Sequence, residues 1–161
     1  MLLDRQMKLD RIDRAILAKL QENARISNVE LSGHAGLSQS ACLRRVNQLE
    51  RAGVIESYQA VISNRAIGQT ITAIVQITLN GQSESHLSQF EAAVAECPWV
   101  VACFMMSGDS DYLIRVNARD MDHFEDIHKN WLSTLPGVSR IQSGFAMRVV
   151  VNRANIDVAK L

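Results

Sequence analysis

The sequence has few residues that break helices or strands, since its 161 positions include only two prolines, Pro98 and Pro136. It has only three cysteines, and Cys42, Cys97 and Cys103 form no C-x-x-C pair, so we expect reduced thiols in a cytoplasmic protein. No apolar run approaches the roughly 20 residues of a membrane-spanning helix. The N-terminus lacks the apolar core of a signal peptide. We therefore predict no membrane contact and no export.

The patterns that carry catalysis or metal binding are also missing. His123 and His128 stand five apart, which does not match the H-E-x-x-H zinc motif. Asp109 and Asp111 form too short a run for a calcium loop. There is no P-loop, no dinucleotide-binding glycine loop and no G-x-S-x-G turn. We expect no metal, no cofactor and no enzymatic activity.

Charge is distributed unevenly although the net charge is zero. Through Arg65 there are ten Lys and Arg against seven Asp and Glu, or +3 (10 − 7). From Ala66 onward there are seven against ten, or −3 (7 − 10). A basic front part and an acidic remainder favour a nucleic-acid-binding domain joined to a domain with another ligand.

Residues 27–55 predict two short helices joined by a tight turn. Ser27 and Glu30 have the S-x-x-E spacing of a capping box, which begins the first helix. Gly36 ends it, because glycine accepts the left-handed backbone of a helix terminus. Ser38 can cap a second helix that runs to about Ala52 without Gly or Pro. This pattern is typical of a helix-turn-helix, whose second helix enters the DNA major groove.

The second helix has one apolar and one polar face. Cys42, Val46 and Leu49 form the buried stripe, with Leu43 on its flank. Arg, Gln and Asn on the other face can pair with bases or phosphates, although a solvated amphipathic helix has the same pattern. The predicted DNA contacts are Ser38, Gln39, Ser40, Arg44, Arg45, Gln48 and Arg51.

The segments on either side extend this unit. A helix is predicted from Asp10 through the run RIDRAILAKLQEN, with Ile16 and Leu17 among its apolar positions. The apolar alternation from Val54 to Ile62 predicts a strand, which would complete a winged helix-turn-helix. We place this domain at 1–63 and a hinge at 64–69.

The remaining residues, 70–161, alternate strand and helix patterns. The predicted elements are strand 70–79, a helix capped by Ser85 and reaching about Glu96, strand 100–106, strand 111–116, helix 120–135 and a last strand within 138–151. The order β-α-β-β-α-β predicts a ferredoxin-like domain, so the fold class is α+β.

Four stretches carry a family resemblance: LDRIDRAILAKLQENARIS, ELSGHAGLSQSACLRRVNQLERAGVI, SGDSDYLIRV and LPGVSRIQSGFAM. Together they resemble the Lrp/AsnC (feast/famine) transcriptional regulators from about Leu9 to Val151. The resemblance implies a winged helix-turn-helix followed by a ferredoxin-like, RAM/ACT-like domain that binds an amino acid or related metabolite. It also implies homodimers through the C-terminal sheets that assemble into tetramers or octamers. The tail NRANIDVAKL departs from the family's frequent ending, so the resemblance implies no contact for it.

The same resemblance implies an effector site. The Gly and Asp residues of 107–112, SGDSDY, by themselves predict a hairpin turn. In the family the matching loop borders the effector pocket between dimers, and the final strand lines the same region. The implied effector residues are Gly108, Asp109, Asp111, Tyr112, Gly144, Phe145 and Ala146.

We therefore predict a DNA-binding transcriptional regulator with double-stranded DNA, an amino-acid effector and copies of itself as partners. Two alternatives remain. An architectural DNA-wrapping protein would bind with weak sequence preference and no metabolite effect. A small enzyme with a catalytic ferredoxin-like domain would need a nucleophile, base or metal constellation.

Overall fold

The computed structural model describes residues 7–153 and 156–160, which form two compact units. We call the first unit the head; it contains the described residues up to Val61 and those after Val151. We call the second unit, residues 62–151, the sheet domain. The end of the chain thus belongs to the head, whereas we predicted it as part of the second domain. In the described part of the chain, no helix is long and apolar enough to cross a membrane.

Three helices form the head, and each begins at a residue whose side chain caps it. They are α1 (Arg11–Glu22), α2 (Asn28–Ala35) and α3 (Gln39–Arg51). Asp10 and Ser27 form complete capping boxes with Asp13 and Glu30, and Ser38 accepts from the Ala41 N–H. Gly36 ends α2 with φ of 65°, the left-handed conformation that keeps the turn short. The predicted helix-turn-helix is confirmed.

The head core consists of side chains from all three helices. Ile16 and Leu17 of α1, Leu31 of α2, and Cys42 and Leu49 of α3 are buried together. Cys42 and Leu49 are fully inaccessible, as expected from their position on the apolar stripe of α3. The opposite face of α3 therefore points away from this core.

The prediction of a strand directly after α3 is wrong. No strand lies between α3 and Ile71 in the described chain, and the backbone N–H groups of Val54 and Ile55 both donate to the carbonyl of Leu49. These bonds close the end of α3, and the head contains no second strand with which this segment could pair. An isolated extended segment cannot form a β ladder, so the wing is present only as irregular chain.

The sheet domain has the predicted β-α-β-β-α-β order. Its elements are β1 (Ile71–Leu79), α4 (Glu84–Ala95), β2 (Val100–Met105), β3 (Tyr112–Ala118), α5 (Met121–Asn130) and β4 (Val138–Phe145), with a 3-10 turn at Leu132–Thr134. The strand order is β2-β3-β1-β4 with every neighbouring pair antiparallel. This arrangement confirms the ferredoxin-like topology.

Several element boundaries differ from the prediction. Ser83, and not Ser85, caps α4, because its hydroxyl accepts from the His86 N–H. Helix α5 stops at Asn130, since Trp131 leaves helical geometry and a 3-10 turn follows. Strand β3 runs on to Ala118, two residues past its predicted end, whereas β4 lies within the predicted range of 138–151 and stops at Phe145, where its pairing with β1 ends.

Both helices of this domain cover one face of the sheet. Phe90 and Val94 from α4 and Phe124 and Ile127 from α5 pack on alternate strand residues. The residues between these alternate positions face the other way, and no element of the sheet domain covers them. We call this surface the open sheet face; it includes Thr72, Ile74, Gln76, Thr78, Leu113, Arg115 and Asn117.

Candidate DNA interface and effector site

Helix α3 presents a polar surface to solvent along its whole length. The predicted contacts Gln39, Ser40, Arg44, Gln48 and Arg51 are all exposed. None of them belongs to the head core, so each side chain can reach outward without disturbing the packing. Ser38 is also exposed, but its hydroxyl is used as the cap of α3 and lies 3.3 Å from the Ser40 hydroxyl.

Arg45 is occupied by contacts inside the head. Its Nη1 donates to Asp13 Oδ1 at 2.7 Å and to Asp10 Oδ2 at 2.7 Å. The hydrogen bonds that Arg45 donates to Asp13 and Asp10 raise the pKa of its guanidinium, which stays charged. The hydrogen bond from the Asp13 backbone N–H is the main cause that lowers the pKa of Asp10, and the hydrogen bond from Arg45 is the second. Arg45 therefore joins α3 to the beginning of α1. The side chain of the neighbouring Arg44 is exposed to solvent.

A further residue that positions α3 was not predicted. Asn28 donates through Nδ2 to the carbonyl of Gln39 at 2.9 Å. This bond joins the first turn of α2 to the first turn of α3, so it sets the angle at which α3 leaves the turn. Its only sequence signal is an amide residue directly after the Ser27 cap.

The loop between β2 and β3 is organised by Asp111. Its Oδ2 accepts from the Leu79 N–H at 2.7 Å, and its Oδ1 accepts from Gln82 Nε2 at 2.7 Å. Its backbone is held as well, because the N–H donates to the Ile77 carbonyl and the carbonyl accepts from Met106. Both carboxylate oxygens thus order the loop, whereas Asp109 and Gly108 are exposed beside it.

Tyr112 points away from this loop into the sheet domain. It is 1% exposed, and its hydroxyl donates to Glu91 Oε1 at 2.7 Å. Burial, followed by this bond, raises the pKa of the Tyr112 phenol. A cavity of about 360 Å³ lies here between α4 and β2, with Val94, Cys103 and Met105 among its lining residues. Tyr112 is among the residues that line this cavity.

The implied effector residues lie at two ends of one sheet. The loop at Gly108 and Asp111 is level with the end of β1, near Ile77. Gly144 pairs with Ile74 and the Ala146 N–H donates to the Thr72 carbonyl, near the beginning of β1. At 3.4 Å per residue these places are on the order of 15 Å apart along the strands. One chain therefore does not bring the two groups together.

The open sheet face contains a buried polar atom with no partner in the described chain. Arg115 lies on β3 between Leu113 and Asn117, and its Nε is buried without a hydrogen bond. A guanidinium nitrogen in this state is costly, because a buried donor normally has an acceptor. An acceptor supplied from outside this chain would remove that cost.

Two protein families match the chain, one for each unit. Residues 9–56 match a winged helix-turn-helix DNA-binding domain, and residues 72–156 match the Lrp/AsnC ligand binding domain. The chain belongs to the Lrp/AsnC family of transcriptional regulators. Its function is that of the family: DNA-binding regulation of transcription in response to a ligand.

Individual relatives of this Lrp/AsnC protein match over most of their length. The leucine-responsive regulatory protein of Salmonella typhimurium is 41% identical over 88% of this chain and 87% of the relative. An uncharacterised helix-turn-helix regulator of Sinorhizobium fredii is 49% identical over 72% of this chain and 91% of the relative. The structure of a Neisseria meningitidis transcriptional regulator in complex with L-methionine has a TM-score of 0.87 and 34% identity, covering 92% and 96% of the two chains.

Other chemistries have little support in the Lrp/AsnC chain. Within residues 7–153 and 156–160, no group of His, Cys, Asp and Glu side chains could hold a metal ion. Cys42 and Cys97 are buried, and burial raises the pKa of the Cys42 and Cys103 thiols. A raised pKa disfavours the reactive thiolate.

Proposed function

We propose that the chain acts as a homo-oligomer that binds double-stranded DNA through α3 and responds to an amino acid. The proposal that α3 binds DNA rests on the different surroundings of two consecutive arginines, Arg44 and Arg45. Arg45 is bound to Asp10 and Asp13 at 2.7 Å, while Arg44 is exposed on the face that also carries Gln48. A rigidly held helix with free Arg and Gln side chains is suited to reading base edges.

The open sheet face supports dimer formation. Ile74 and Leu113 give it apolar area, and the buried Nε of Arg115 lacks an acceptor in this chain. A second copy packed sheet to sheet would cover the apolar side chains and could supply that acceptor. We propose dimers of this kind, which assemble further into tetramers or octamers. A DNA-binding regulator of this type would act in the cytoplasm.

The effector site that we propose is shared between chains. The exposed Gly108 and Asp109 on one chain would meet Gly144 to Ala146 of another chain where dimers pack against each other, as the family resemblance implies. Backbone N–H groups near Gly108 would hold a carboxylate, and Asp109 would accept the ammonium group. The related Neisseria protein binds L-methionine, so an apolar amino acid is the first ligand to test.

Such a site would make the effector act by mass action. A ligand that bridges dimers favours one assembly over another, and the assembly sets how many paired heads meet the DNA. Two-fold pairs of heads predict pseudo-palindromic sites whose half-sites are separated by whole helical turns.

Two measurements test this function. Each standard amino acid is added in a thermal-shift screen, where a ligand at 100 times its Kd should stabilise the protein by about 2.7 kcal/mol. Duplexes selected from a random pool are then bound with and without the best ligand, at fixed salt. A shared pseudo-palindrome and a ligand-dependent affinity support the proposal. Equal binding to all duplexes without a ligand effect would favour the architectural DNA-wrapping alternative.

A further inference from the structure

The end of the chain returns to the head. The described residues after Val151 belong to the same compact unit as α1, α2 and α3. The chain therefore passes between the head and the sheet domain twice, once after Val61 and once after Val151. Two connections of the chain thus join the head to the sheet domain, whereas a single hinge would be one connection.

The side chain of Gln21, on α1, binds the returning segment through two hydrogen bonds. Gln21, in the last turn of α1, donates through Nε2 to the Ile156 carbonyl at 2.9 Å. Its Oε1 accepts from the Val158 N–H at 3.1 Å. The carboxamide thus satisfies two backbone groups of the returning segment, one carbonyl and one N–H. A carboxamide has its donor and its acceptor side by side, so Gln is well suited to bind a carbonyl and an N–H of one segment.

An apolar contact accompanies this clamp. Val158 is partly buried and packs against the head core that contains Ile16 and Leu17. A short 3-10 turn, Val158–Lys160, follows and lies against α1. We call residues 156–160 the tail anchor. Its polar and apolar contacts act on the same surface, and both belong to the head.

The other end of the same stretch is fixed in the sheet domain. The Phe145 ring packs edge-on against Phe124 with 5.0 Å between centroids, and the Ala146 N–H donates to the Thr72 carbonyl at 2.9 Å. Ile156 lies ten positions after Ala146, and a fully extended chain of that length spans at most about 33–36 Å. The stretch that leaves β4 therefore leads, within a few residues, to a segment that is bound inside the head.

We propose that the tail anchor is a releasable clamp that couples the end of β4 to the head. This inference rests on the proposed function in one respect, the assignment of Gly144 to Ala146 to the effector site. A ligand there would act on the stretch of chain that leads to Gln21. The clamped head has restricted freedom, and the released head can adopt more orientations on DNA. An effector that favours one of these two states changes DNA affinity.

Hydrogen exchange measured by mass spectrometry on the full chain tests the clamp directly. In the unmodified protein the C-terminal peptide should exchange more slowly than an unstructured segment. Gln21→Ala should accelerate that exchange by about tenfold or more, because local opening removes both bonds, while peptides of α2 and α3 remain unchanged. Glu22→Ala is the matched control, since Glu22 forms an ion pair with Lys19 and, within the described residues, has no hydrogen bond to the tail anchor. Unprotected exchange in the unmodified protein, or equal exchange in Gln21→Ala, overturns the clamp.

Coupling is tested with L-methionine as the probe and a selected duplex. In the unmodified protein saturating L-methionine should change DNA affinity by about 5–150-fold. In Gln21→Ala this factor should fall toward one, whereas the calorimetric Kd for L-methionine stays the same. An unchanged factor would overturn the coupling.

Failure of the effector proposal is visible separately. Calorimetry without heat for any amino acid would refute the effector site and not the clamp. DNA affinity without ligand then decides: we expect the affinities of Gln21→Ala and Glu22→Ala to differ by about fivefold or more, the lower end of typical coupling. Equal affinities would show that the clamp does not control the head.

Discussion

The guanidinium of Arg45 lies 2.7 Å from a carboxylate oxygen of Asp13, whose side chain is only 4% exposed. The same nitrogen, Nη1, also binds Asp10. These contacts fasten α3 to the first turn of α1, so the orientation of the recognition helix depends on a charged pair at its inner edge. Arg44, one residue earlier, has no such contact and faces solvent.

We predict that Asp13→Ala destabilises the head. The substitution leaves the Arg45 guanidinium and the Asp10 N–H without their buried acceptor, which costs about 1–3 kcal/mol. Thermal unfolding followed by calorimetry measures the loss. Asp126→Ala, an exposed aspartate within α5, is the control and should change stability by less than about 0.5 kcal/mol. Equal effects of the two substitutions would contradict the role of the pair.

Stability of the head should fall in acid. The pKa of Asp10 is lowered by the Asp13 N–H and Arg45, and the pKa of Glu30 is lowered mainly by the Ser27 hydroxyl. A carboxyl group whose pKa is lower in the folded than in the unfolded protein stabilises the fold at pH values above its unfolded pKa of about 4. This stabilisation is lost as the pH falls through the folded pKa. Melting curves between pH 7 and pH 3 should show the decline below about pH 4.

The acid response has an internal check. Ser27→Ala removes the largest cause of the lowered Glu30 pKa, so the acid-dependent loss should become smaller. The same substitution removes the cap of α2 and should cost about 1 kcal/mol at neutral pH. An acid-dependent loss as large as in the unmodified protein would show that Glu30 does not contribute.

Arg44→Ala should relax sequence preference. If Arg44 pairs with a base, its loss should reduce discrimination between the selected duplex and a scrambled one by about 1–3 kcal/mol. Fluorescence anisotropy at fixed salt gives both affinities. Equal loss on both duplexes would make Arg44 a phosphate contact. Melting of the variant should match the unmodified protein, since Arg44 lies outside the head core.

The two aspartates of the loop should differ in their effects. Asp111→Ala loses the bonds to Leu79 and Gln82, so it should destabilise the sheet domain by about 1–3 kcal/mol. Asp109→Ala should leave stability unchanged and reduce effector affinity, because Asp109 is exposed and proposed to bind the ammonium group. Calorimetric titration with L-methionine, together with melting, separates the two. Unchanged affinity in Asp109→Ala would remove it from the site.

Local sequence rules predicted much of the fold. Ser27 with Glu30, Ser38 and Gly36 act within four residues of themselves, so the helices they begin or end could be recognised without a structure. The strand and helix order also follows from periodicity, because each element of the sheet domain buries one face.

Features that depend on distant partners could not be predicted in this way. Ser83 and Ser85 are equally good caps in isolation, and only the path out of β1 selects Ser83. The contacts of Asp111 reach Leu79 and Gln82 some thirty positions away. The clamp at Gln21 joins residues 137 positions apart and leaves no local pattern.

The separation of Gly108 from Gly144 within one sheet has a consequence for the cell. A ligand site assembled from two chains has an occupancy that depends on protein concentration as well as on ligand concentration. Such a regulator would respond weakly to its metabolite when the regulator itself is scarce, and strongly when the regulator is abundant. Control of its own synthesis would then set the sensitivity with which the cell reads that metabolite.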